Sequence, residues 1–545
     1  MMLTEDVLSW YEANLPSSER KTRGHFSTPP LLVEQILDAC GYTSEHDLSR
    51  IRVLDPACGS GNFLAGAARR LVASGQHMGL SRESIVTLVQ RNVWGFDPDP
   101  VACFLAEMQV RTALAEVHRL LEEPLEGADS PKAQGLPLHI HQTDGLVLPW
   151  EQCEHVDLFL ANPPYLAAKN TDLSGYRFAQ RRGQSDSYLL FLSLALQVVR
   201  PGGWIGLVLP DPLLARANAA RERERLLAET TVHHLWHLSG VFSAYVGAVV
   251  IIAQKCPPHR MHQVSWVREK WQRDEPTQYR MKTVSQALLA RQPGRELRYL
   301  LSDVQGMLVE RLHAHLCKPR PIDDVRHFVP LGEIVTIRRG EELSKDSALL
   351  AGTQPADGQV WYPVVRGGVD VRPYGVPVSS GWIARTGIAK PLERYLAPKL
   401  LVVKSTGRLQ AALDLKGHLV LQTLYLLKLR SKEPSEQTIE TDCESTQQDE
   451  LYFLLALLNS RLLQEYVHVL HTAYKWVQPQ IEQYVLASLP IPAIATTEKE
   501  QIIKRAKLLM CACSKVPSVV ELQESGELYE EQEQAICELY RFALQ

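Results

Sequence analysis

The stretch VDLFLANPPY, residues 156–165, contains the two features that decide the fold. Its first six residues, 156–161, are dominated by apolar side chains, which predicts a buried strand of a parallel sheet. Pro163 and Pro164 then end the strand, because neither can donate a backbone hydrogen bond and both fix φ at about −65°. A rigid loop therefore follows the carboxyl end of this strand, and open α/β sheets bind their ligands at such ends.

The loop itself carries three groups that suit one kind of ligand. The side-chain oxygen of Asn162 and the backbone carbonyl of Pro163 can accept the two hydrogens of a single NH2 group. The ring of Tyr165 can stack on a flat heterocycle. The loop is therefore suited to hold an exocyclic amino group, although these residues also fit a proline-rich turn with a surface tyrosine. The other strand ends are needed to choose between the two interpretations.

A glycine-rich loop follows the first predicted strand, residues 51–54. Its sequence, DPACGSGN at 55–62, places Gly59 and Gly61 where the backbone can approach a ligand closely at the start of a helix. No Gly-Lys-Ser/Thr follows, and the loop lacks the third glycine of a dinucleotide-binding fingerprint. Asp55 instead ends the strand, which favours a ligand that carries an ammonium group and no phosphates.

Two more predicted strands, residues 93–96 and 138–142, are also followed by acidic residues. Asp97 follows the first of them, and an acid at the end of the second strand of such a sheet commonly accepts hydrogen bonds from ribose hydroxyls. Asp144 follows the other strand. Three strand ends with an acid, followed by residues 162–165 on a fourth, form a constellation that chance would hardly supply in this order.

Composition and charge limit the class of protein. The chain has 545 residues, which suggests about three domains, and its 45% hydrophobic and 22% charged residues are typical of globular proteins. No apolar run approaches the ~18 residues of a membrane span, and the ten cysteines are scattered. We therefore expect a cytoplasmic protein that contacts no membrane. The net charge of −4 requires any nucleic-acid contact to use a local patch. The cluster of His233, His234 and His237 has no nearby acid or cysteine partner in sequence, so we predict no metal site.

The order of these motifs resembles that of the gamma-class, TaqI-type N6-adenine DNA methyltransferases. Residues 26–30 resemble the amino-terminal motif of that family, residues 55–61 its S-adenosylmethionine loop, and residues 162–165 its catalytic motif. The parts that follow the catalytic motif in the family, a helix, a turn with its strand and a final hairpin, are matched by residues 185–191, 199–204 and 240–252. The resemblance covers about residues 20–255 strongly and continues more weakly to about residue 495.

The resemblance implies an α/β fold, with an S-adenosylmethionine-dependent, Rossmann-like methyltransferase core built on a mostly parallel sheet. An α+β target-recognition domain for DNA would follow, and then carboxyl-terminal helices. From residue 330 the texture changes to short β-like runs with many glycines, which agrees with a second domain. The predicted boundaries are 1–255 for the catalytic domain, 256–328 for a connecting region that could contain strands, 329–495 for the target-recognition domain with a mobile polar loop at 431–450, and 496–545 for a helical segment.

The resemblance also implies a role for each motif residue. The cofactor would be S-adenosyl-L-methionine, and the substrate would be an adenine in double-stranded DNA. The residues implied to bind the cofactor are Thr28, Asp55, Ala57, Gly59, Gly61, Asp97, Asp144, Pro164 and Phe191. The residues implied to act in catalysis are Asn162, Pro163, Pro164, Tyr165 and Phe242. Without the resemblance, Thr28 would be interpreted as a helix cap and Phe242 as a core aromatic.

The implied chemistry suits these residue types. An adenine amino nitrogen is a poor nucleophile because its lone pair is delocalised into the ring. Acceptors on Asn162 and Pro163 can hold both amino hydrogens and shift the nitrogen toward a tetrahedral state, so that positioning supplies most of the catalysis. The target base must leave the duplex, and Tyr165 with Phe242 could then stack on its two faces.

Two groups of basic residues are candidates for contact with DNA. One is a loop without acids that follows the catalytic motif, which could grip phosphate or remain solvated. The other lies in residues 320–430, where 16 Lys+Arg exceed 10 Asp+Glu by six in an otherwise acidic chain. The predicted contacts are Arg177, Arg181 and Arg182 in the first group, and Arg338, Arg339, Lys404 and Arg408 in the second.

Other functions are compatible with parts of the sequence. An N4-cytosine DNA methyltransferase would use the same chemistry, though more often with serine at the position of Asn162. A protein glutamine methyltransferase also uses Asn-Pro-Pro-Tyr, because a glutamine amide is a planar NH2 group, but such enzymes lack a large carboxyl-terminal recognition domain. A non-catalytic DNA-binding subunit is a third alternative, against which the intact acids and the intact Asn162 argue. The expected setting is a restriction-modification or phage-defence system with possible separate subunits.

Overall fold

The computed structural model describes fifteen stretches of the chain and divides it into two compact units, Met1–Leu297 and Arg298–Gln545. Three of the predicted DNA contacts, Arg177, Arg181 and Arg182, lie outside the described residues. The described residues are 27–120, 137–147, 156–166, 172–176, 186–242, 247–272, 275–297, 311–312, 327–344, 347–367, 370–405, 408–430, 440–469, 480–514 and 519–544.

The first unit is organised around one mostly parallel sheet. Its strands are β1 (Val53–Asp55), β2 (Val93–Asp97), β3 (His139–Gln142), β4 (Val156–Ala161), β5 (Val199–Pro210), β6 (Thr231–Ser239), β7 (Ala248–Gln254), β8 (Gln263–Gln272) and β9 (Glu275–Ser285). They lie in the order β3-β2-β1-β4-β5-β7-β6-β8-β9. The first five strands pair in parallel, whereas β7 runs antiparallel between β5 and β6. This sheet confirms the predicted α/β fold.

Helices connect and cover these strands. They are α1 (Pro30–Ala39), α2 (Asn62–His77), α3 (Arg82–Asn92), α4 (Pro100–Leu120), α5 (Ser187–Val198), α6 (Ala220–Glu229) and α7 (Gln286–Arg291). A proline is the first residue of α1, where its missing N–H leaves no helical bond unmade. The residue before α1 is Pro29, and no side chain caps the helix. Thr28 is therefore not a helix cap, and its hydroxyl is available for another contact.

Strand β4 lies in the middle of the sheet and is buried along its whole length. It pairs with β1 on one side and with β5 on the other, and all six of its residues are buried. Removal of Leu158, Phe159 or Leu160 from water contributes about 1.5–3 kcal/mol each. Because β1, β2, β4 and β5 are parallel, their carboxyl ends meet at one edge of the sheet. The sequence pattern thus places residue 162 at the edge where ligands bind.

The predicted connecting region, 256–328, differs from the structure over its first part. Residues 263–285 form β8 and β9, which extend the sheet of the first unit. The pattern was hard to recognise because β9 is polar and exposed along most of its length. In β8, Trp266 and Trp271 are buried and fasten the hairpin to the core. The compact first unit accordingly extends to residue 297.

The second unit combines small sheets with helices. Its strands are β10 (His327–Pro330), β11 (Val335–Arg339), β12 (Leu350–Ala351), β13 (Trp361–Val365), β14 (Gly381–Ala384), β15 (Lys399–Val403), β16 (Ala411–Asp414), β17 (Leu419–Val420), β18 (Leu424–Leu429) and β19 (Pro490–Ala493). The helices are α8 (Leu331–Ile334), α9 (Glu393–Leu396), α10 (Glu440–Asn459), α11 (Arg461–Val467), α12 (Gln483–Ala487), α13 (Thr496–Ser514) and α14 (Val519–Leu544). Two four-stranded sheets have the orders β11-β18-β15-β16 and β12-β14-β13-β17, and β10 pairs with β19.

A charged pair lies inside the core of the second unit. Lys399 and Asp414 face each other across β15 and β16, their Nζ and Oδ2 atoms are 2.6 Å apart, and both side chains are fully buried. Lys399 also donates to the backbone oxygen of Tyr395. Although burial opposes ionisation of Asp414, a hydrogen bond from His418 and the charge of Lys399 hold the pKa of the carboxyl down at about 2. Asp414 is therefore ionised at neutral pH, whereas burial lowers the pKa of Lys399 and the charge of Asp414 opposes that shift.

The polar segment 431–450, predicted as a mobile loop, is helical from Glu440 onward. Residues 431–439 lie outside the described part of the chain, and α10 continues to Asn459. The reason is the apolar second half of α10, in which Phe453 and Leu457 are fully buried. Once this half is fixed in the core, each further helical residue adds one hydrogen bond at little cost, so the helix extends into the polar segment.

The described residues contain neither a membrane-spanning helix nor a cluster of metal-binding side chains. No helix in these stretches is long and apolar enough to cross a membrane. The same residues bring together no group of three or more His, Cys, Asp or Glu side chains that could hold a metal ion. His233, one of the three clustered histidines of β6, instead packs against Trp204, with ring centroids 4.9 Å apart.

Candidate functional site

The carboxyl edge of the parallel strands brings together the residues that the sequence had singled out separately. Asp55 ends β1, Asp97 ends β2 and Asn162 directly follows β4. Since β1 pairs with both β2 and β4, the three positions belong to adjacent strands. These three members of the predicted constellation are thus assembled at one edge of the sheet.

Asn162 is held from two sides. Its side-chain Nδ2 donates a hydrogen bond of 3.1 Å to the hydroxyl of Thr28, which lies just before α1. Its Oδ1 accepts a hydrogen bond of 3.1 Å from the hydroxyl of Tyr165. Burial, and then the charge of Asp211, raise the pKa of Tyr165, so the hydroxyl keeps the proton that it donates. The amide of Asn162 therefore has a defined position at the end of β4.

The loop after β4 is held by a residue whose role the sequence did not reveal. The hydroxyl of Ser187, the first residue of α5, donates to the backbone oxygen of Pro164. The same hydroxyl accepts from the N–H of Leu166 at 2.9 Å, and the carbonyl of Leu166 accepts from the N–H of Ser187 at 3.0 Å. Pro163 is buried beside them. Ser187 thus holds the loop in place. The one sign of this role in the sequence is that Ser187 lies within residues 185–191, which match a motif of the family.

Asp55 is a buried acid at the centre of the site. Asp55 is 1% exposed, and its Oδ1 accepts a hydrogen bond of 3.0 Å from the N–H of Ala57. Burial is the main cause that raises the pKa of this carboxyl to about 8, and the nearby charge of Asp97 adds to the shift. A cation placed next to Asp55 would restore the carboxylate, which is the response expected of a site for an ammonium group.

Asp97 connects the two loops that follow β1 and β2. Its Oδ2 accepts a hydrogen bond of 3.0 Å from the N–H of Gly59, and its Oδ1 accepts one of 2.9 Å from the N–H of Asp99. Gly59 has a φ of +52°, and Gly61, the residue before α2, has a φ of +93°. A side chain at Gly61 would also collide with Ala106, only 2.6 Å away, so this turn requires glycine.

A chain of side-chain amides joins this loop to Thr28, and sequence reasoning missed it. The Nδ2 of Asn62 donates to the backbone oxygen of Thr28 and to the hydroxyl of Ser27, both at 2.9 Å. The Nε2 of Gln109 donates to the Oδ1 of Asn62 at 2.9 Å and to the backbone oxygen of Ser60 at 2.7 Å. Gln109 comes from α4, 47 residues further along the chain, so no local pattern could have indicated the contact.

The remaining predicted site residues occupy different environments. Asp144 accepts a hydrogen bond of 2.6 Å from the hydroxyl of Tyr176, and the neighbouring Gly145 lies so close to the loop after β1 that a Cβ there would be 2.2 Å from the oxygen of Pro56. Phe191 is buried in α5. Phe242 is 8% exposed and belongs to the core cluster that includes Trp271. In this structure Phe242 therefore packs mainly against the protein.

The predicted DNA contacts that lie within the described residues all belong to the second unit. Arg338 and Arg339 end β11 and are exposed, and the backbone oxygen of Arg339 accepts a hydrogen bond of 2.6 Å from Arg394. Lys404 follows β15 and is partly buried, whereas Arg408 is exposed. The positions of these side chains do not test whether they contact DNA, so that role stays a prediction.

Comparison with known proteins agrees with this site. The family described as N-6 DNA Methylase matches residues 4–286, and the one described as TaqI-like C-terminal specificity domain matches residues 364–491. The chain is 26% identical over 201 residues to the Type II methyltransferase M.BstVI of Geobacillus stearothermophilus, and 30% identical over 199 residues to M.XhoI of Xanthomonas vasicola. Each alignment covers 35% of this chain and 34% of the relative, so the match spans about a third of their length.

A solved structure supports the fold over a longer range. The Type IIL restriction-modification enzyme MmeI, determined in complex with DNA, is similar with a TM-score of 0.60 at 12% sequence identity. The similarity covers 97% of this chain and 77% of MmeI, and at this identity it concerns the fold alone. The resemblance to TaqI-type enzymes is thus confirmed in both halves. Because the first family match covers more than half of the sequence, the chain belongs to the N-6 DNA methylase family.

Proposed function

We propose that the protein transfers a methyl group from S-adenosylmethionine to N6 of an adenine that is flipped out of double-stranded DNA at a specific sequence. The observation that carries this proposal is the position of the Asn162 amide, which is fixed at the carboxyl end of β4 beside the buried Asp55. Family membership and the specificity-domain match in residues 364–491 support it.

The residues at the carboxyl edge fit S-adenosylmethionine. Asp55 would hold the ammonium group. Burial favours the protonated form of its carboxyl, and the positive charge of the ammonium group would favour the carboxylate instead. Asp97 would accept the ribose hydroxyls, since each carboxylate oxygen can accept more than the one backbone N–H that it binds here. When bound, S-adenosylmethionine supplies a methyl group on a positively charged sulfur, which is already strongly electrophilic.

The protein's own contribution would be to hold the target amino group. The Oδ1 of Asn162 and the carbonyl of Pro163 would accept its two hydrogens, so that the nitrogen lone pair points at the methyl group. In this structure the hydroxyl of Tyr165 occupies the Oδ1 of Asn162. The amino group would therefore replace that hydroxyl, and the displaced ring of Tyr165 could stack on the incoming base.

The proposal is tested by identifying the product. Plasmid DNA from cells that express the chain would be digested to nucleosides and analysed by mass spectrometry, and the modified positions would be mapped by single-molecule sequencing. N6-methyladenine at one recurrent sequence is the expected result, and DNA from cells that express Asn162→Ala is the control. N4-methylcytosine, or no modified base, would contradict the proposal. Recovery of a nuclease with the purified chain would test the proposed setting in a restriction-modification or phage-defence system.

The raised pKa of Asp55 predicts how cofactor affinity depends on pH. Below about pH 8 the carboxyl holds a proton that must leave before it can pair with an ammonium group. Affinity should therefore rise by up to about tenfold per pH unit from about pH 6 to about pH 8, and fall again as the ammonium group loses its proton. Calorimetry across this range measures the effect, and Asp55→Asn should bind weakly with a flat profile. A flat profile for the unsubstituted protein would contradict the assignment.

The stability of the folded protein should depend on pH in the opposite direction from cofactor affinity. In the absence of cofactor, the folded protein keeps a proton on Asp55 between about pH 4 and about pH 8, whereas the unfolded chain has released it. The contribution of this group to stability should therefore decline as the pH rises through that window. Unfolding in urea at several pH values, compared with Asp55→Asn, isolates this contribution.

Thr28 offers a test that separates two roles. Thr28→Val keeps the shape of the side chain but removes the hydroxyl that accepts from Asn162. One neutral hydrogen bond contributes about 0.5–1.5 kcal/mol, so we expect the single-turnover rate to fall by up to about tenfold with cofactor affinity unchanged. Thr28→Ser should restore the rate. A weaker affinity for the cofactor with a normal rate would instead favour the cofactor-binding role that the sequence predicted.

A further inference from the structure

The β8–β9 hairpin points its free end toward the site. β4 runs parallel to β5, and β7 runs antiparallel to both β5 and β6. Because β8 is in turn parallel to β6, it runs in the same direction as β4. The carboxyl end of β8 and the start of β9 therefore lie at the edge of the sheet that carries residues 162–165.

One face of this hairpin is basic. Directly paired residues share a face of a sheet, and successive residues alternate between faces. Arg268 pairs with Arg280, and both strands place further basic residues two positions away on that face. We call these positions the hairpin basic face: Trp266, Arg268 and Lys270 on β8, and Gln278, Arg280 and Lys282 on β9. Four of the six are basic and none is acidic, and Lys270 and Arg280 are exposed.

The hairpin basic face lies level with the carboxyl end of β4. His237 of β6 pairs with Val249 of β7, and Val249 pairs with Leu209 of β5, two residues beyond the partner of Ala161. Arg268 pairs with His237 of β6, which is buried, and the Nε2 of His237 lies 3.9 Å from the Oδ2 of Asp211. Burial lowers the pKa of His237, and the charge of Arg268 adds to this effect. Asp211 also acts electrostatically on Tyr165. The basic residues thus begin level with the end of β4 and continue along the hairpin into solvent.

We propose that the hairpin basic face binds the phosphate backbone of DNA beside the flipped-out base. The proposal rests on the proposed function, because it takes duplex DNA as the substrate. Like charges placed directly opposite each other, such as Arg268 and Arg280, destabilise a sheet, and a bound polyanion would offset that repulsion. Charges on an edge strand, lysine above all, can also serve to prevent pairing with other chains, but Arg268 and Lys270 lie on β8, which is not at the edge of the sheet. The exclusive use of positive charge on this face favours phosphate.

The dependence of DNA affinity on salt tests the proposal. Binding of the full chain to a short fluorescent duplex would be measured over a range of salt concentrations for Lys270→Gln/Arg280→Gln. Each lost phosphate contact should reduce the slope of log K against log salt by about 0.9, so the double variant should lose about 1.8 and bind about tenfold or more weakly at physiological salt. Arg280→Lys, which keeps the charge, should retain most of the slope.

A matched control is available at the opposite edge of the same sheet. Arg50 and Arg91 are exposed and precede β1 and β2, so they lie at the amino ends of the parallel strands. Arg50→Gln/Arg91→Gln removes the same charge and should leave the salt slope unchanged.

The outcomes separate this proposal from the proposed function. An unchanged slope for Lys270→Gln/Arg280→Gln would overturn the proposal, and aggregation with an unchanged slope would assign the charges to protection of the sheet edge. An equal loss in the control variant would also overturn it, because the effect would then be one of total charge. The methylated product in the same duplex is analysed separately. A lack of N6-methyladenine with the unsubstituted protein would refute the proposed function. The salt dependence of binding would still show whether the hairpin basic face contacts phosphate.

Discussion

Asn162→Ala is expected to lower the rate of methyl transfer by about 100- to 1,000-fold while cofactor and DNA still bind. The substitution removes one of the two acceptors proposed to hold the target amino group, and loss of one preorganised contact of this kind costs about 2.7–4 kcal/mol in the transition state. The strand should not be disturbed, because β4 is held by its own apolar residues and by β1 and β5. Single-turnover transfer from labelled S-adenosylmethionine measures the effect.

Base flipping should survive this substitution. The Tyr165 hydroxyl would lose its partner on Asn162 but keep the backbone oxygen of Val208, which it approaches at 3.4 Å. A duplex with 2-aminopurine at the target position should therefore still report an unstacked base. Asn92→Ala is a matched control, since Asn92 is an amide of the same unit that is buried at the end of α3. Near-normal turnover of Asn162→Ala on adenine would refute the proposed mechanism.

The second large effect concerns stability. Lys399→Met should destabilise the core of the second unit by about 3–5 kcal/mol, because it leaves the charge of Asp414 buried without its partner. Hydrogen–deuterium exchange of peptides from β15 and β16 in the full chain measures the loss where it arises. The first unit should keep its protection, so binding of S-adenosylmethionine should be retained.

A second substitution distinguishes the charge from simple packing. Asp414→Asn removes the charge but keeps an oxygen that can accept from the N–H of His418, which Asp414 binds at 2.9 Å. Lys399→Met/Asp414→Asn should therefore recover most of the lost protection. If the double variant were as unstable as Lys399→Met, the loss would be due to packing around the lysine stem.

The parts of the site that could be predicted from sequence are those with a local pattern. The apolar run 156–161 and the prolines after it define a buried strand and its end, whatever the rest of the chain does. Asp55 and Asp97 could be located because each ends an apolar stretch. Their neighbourhood then follows from a rule of topology, since parallel strands place their carboxyl ends at one edge.

The parts that could not be predicted depend on contacts between distant segments. The hydroxyl of Thr28 looked like a helix cap or a cofactor ligand, and only the fold brings it to Asn162, 134 residues away. Gln109 gives no sign of its partners in the sequence around it, and the motif that contains Ser187 does not reveal that its hydroxyl binds the oxygen of Pro164. Strand β9 was obscured because a polar, exposed edge strand has no apolar alternation to recognise.

The insertion of β7 between β5 and β6 has a consequence for synthesis of the protein. β6 emerges from the ribosome before β7, yet its partners in the described sheet are β7 and β8, both of which are made later. Until β7 has left the ribosome, β6 has two open edges, and an open strand edge is a template for pairing with other chains. Chaperone contact should therefore peak between the emergence of β6 and that of β8, and a ribosome that stalls in this interval would release a chain prone to aggregate.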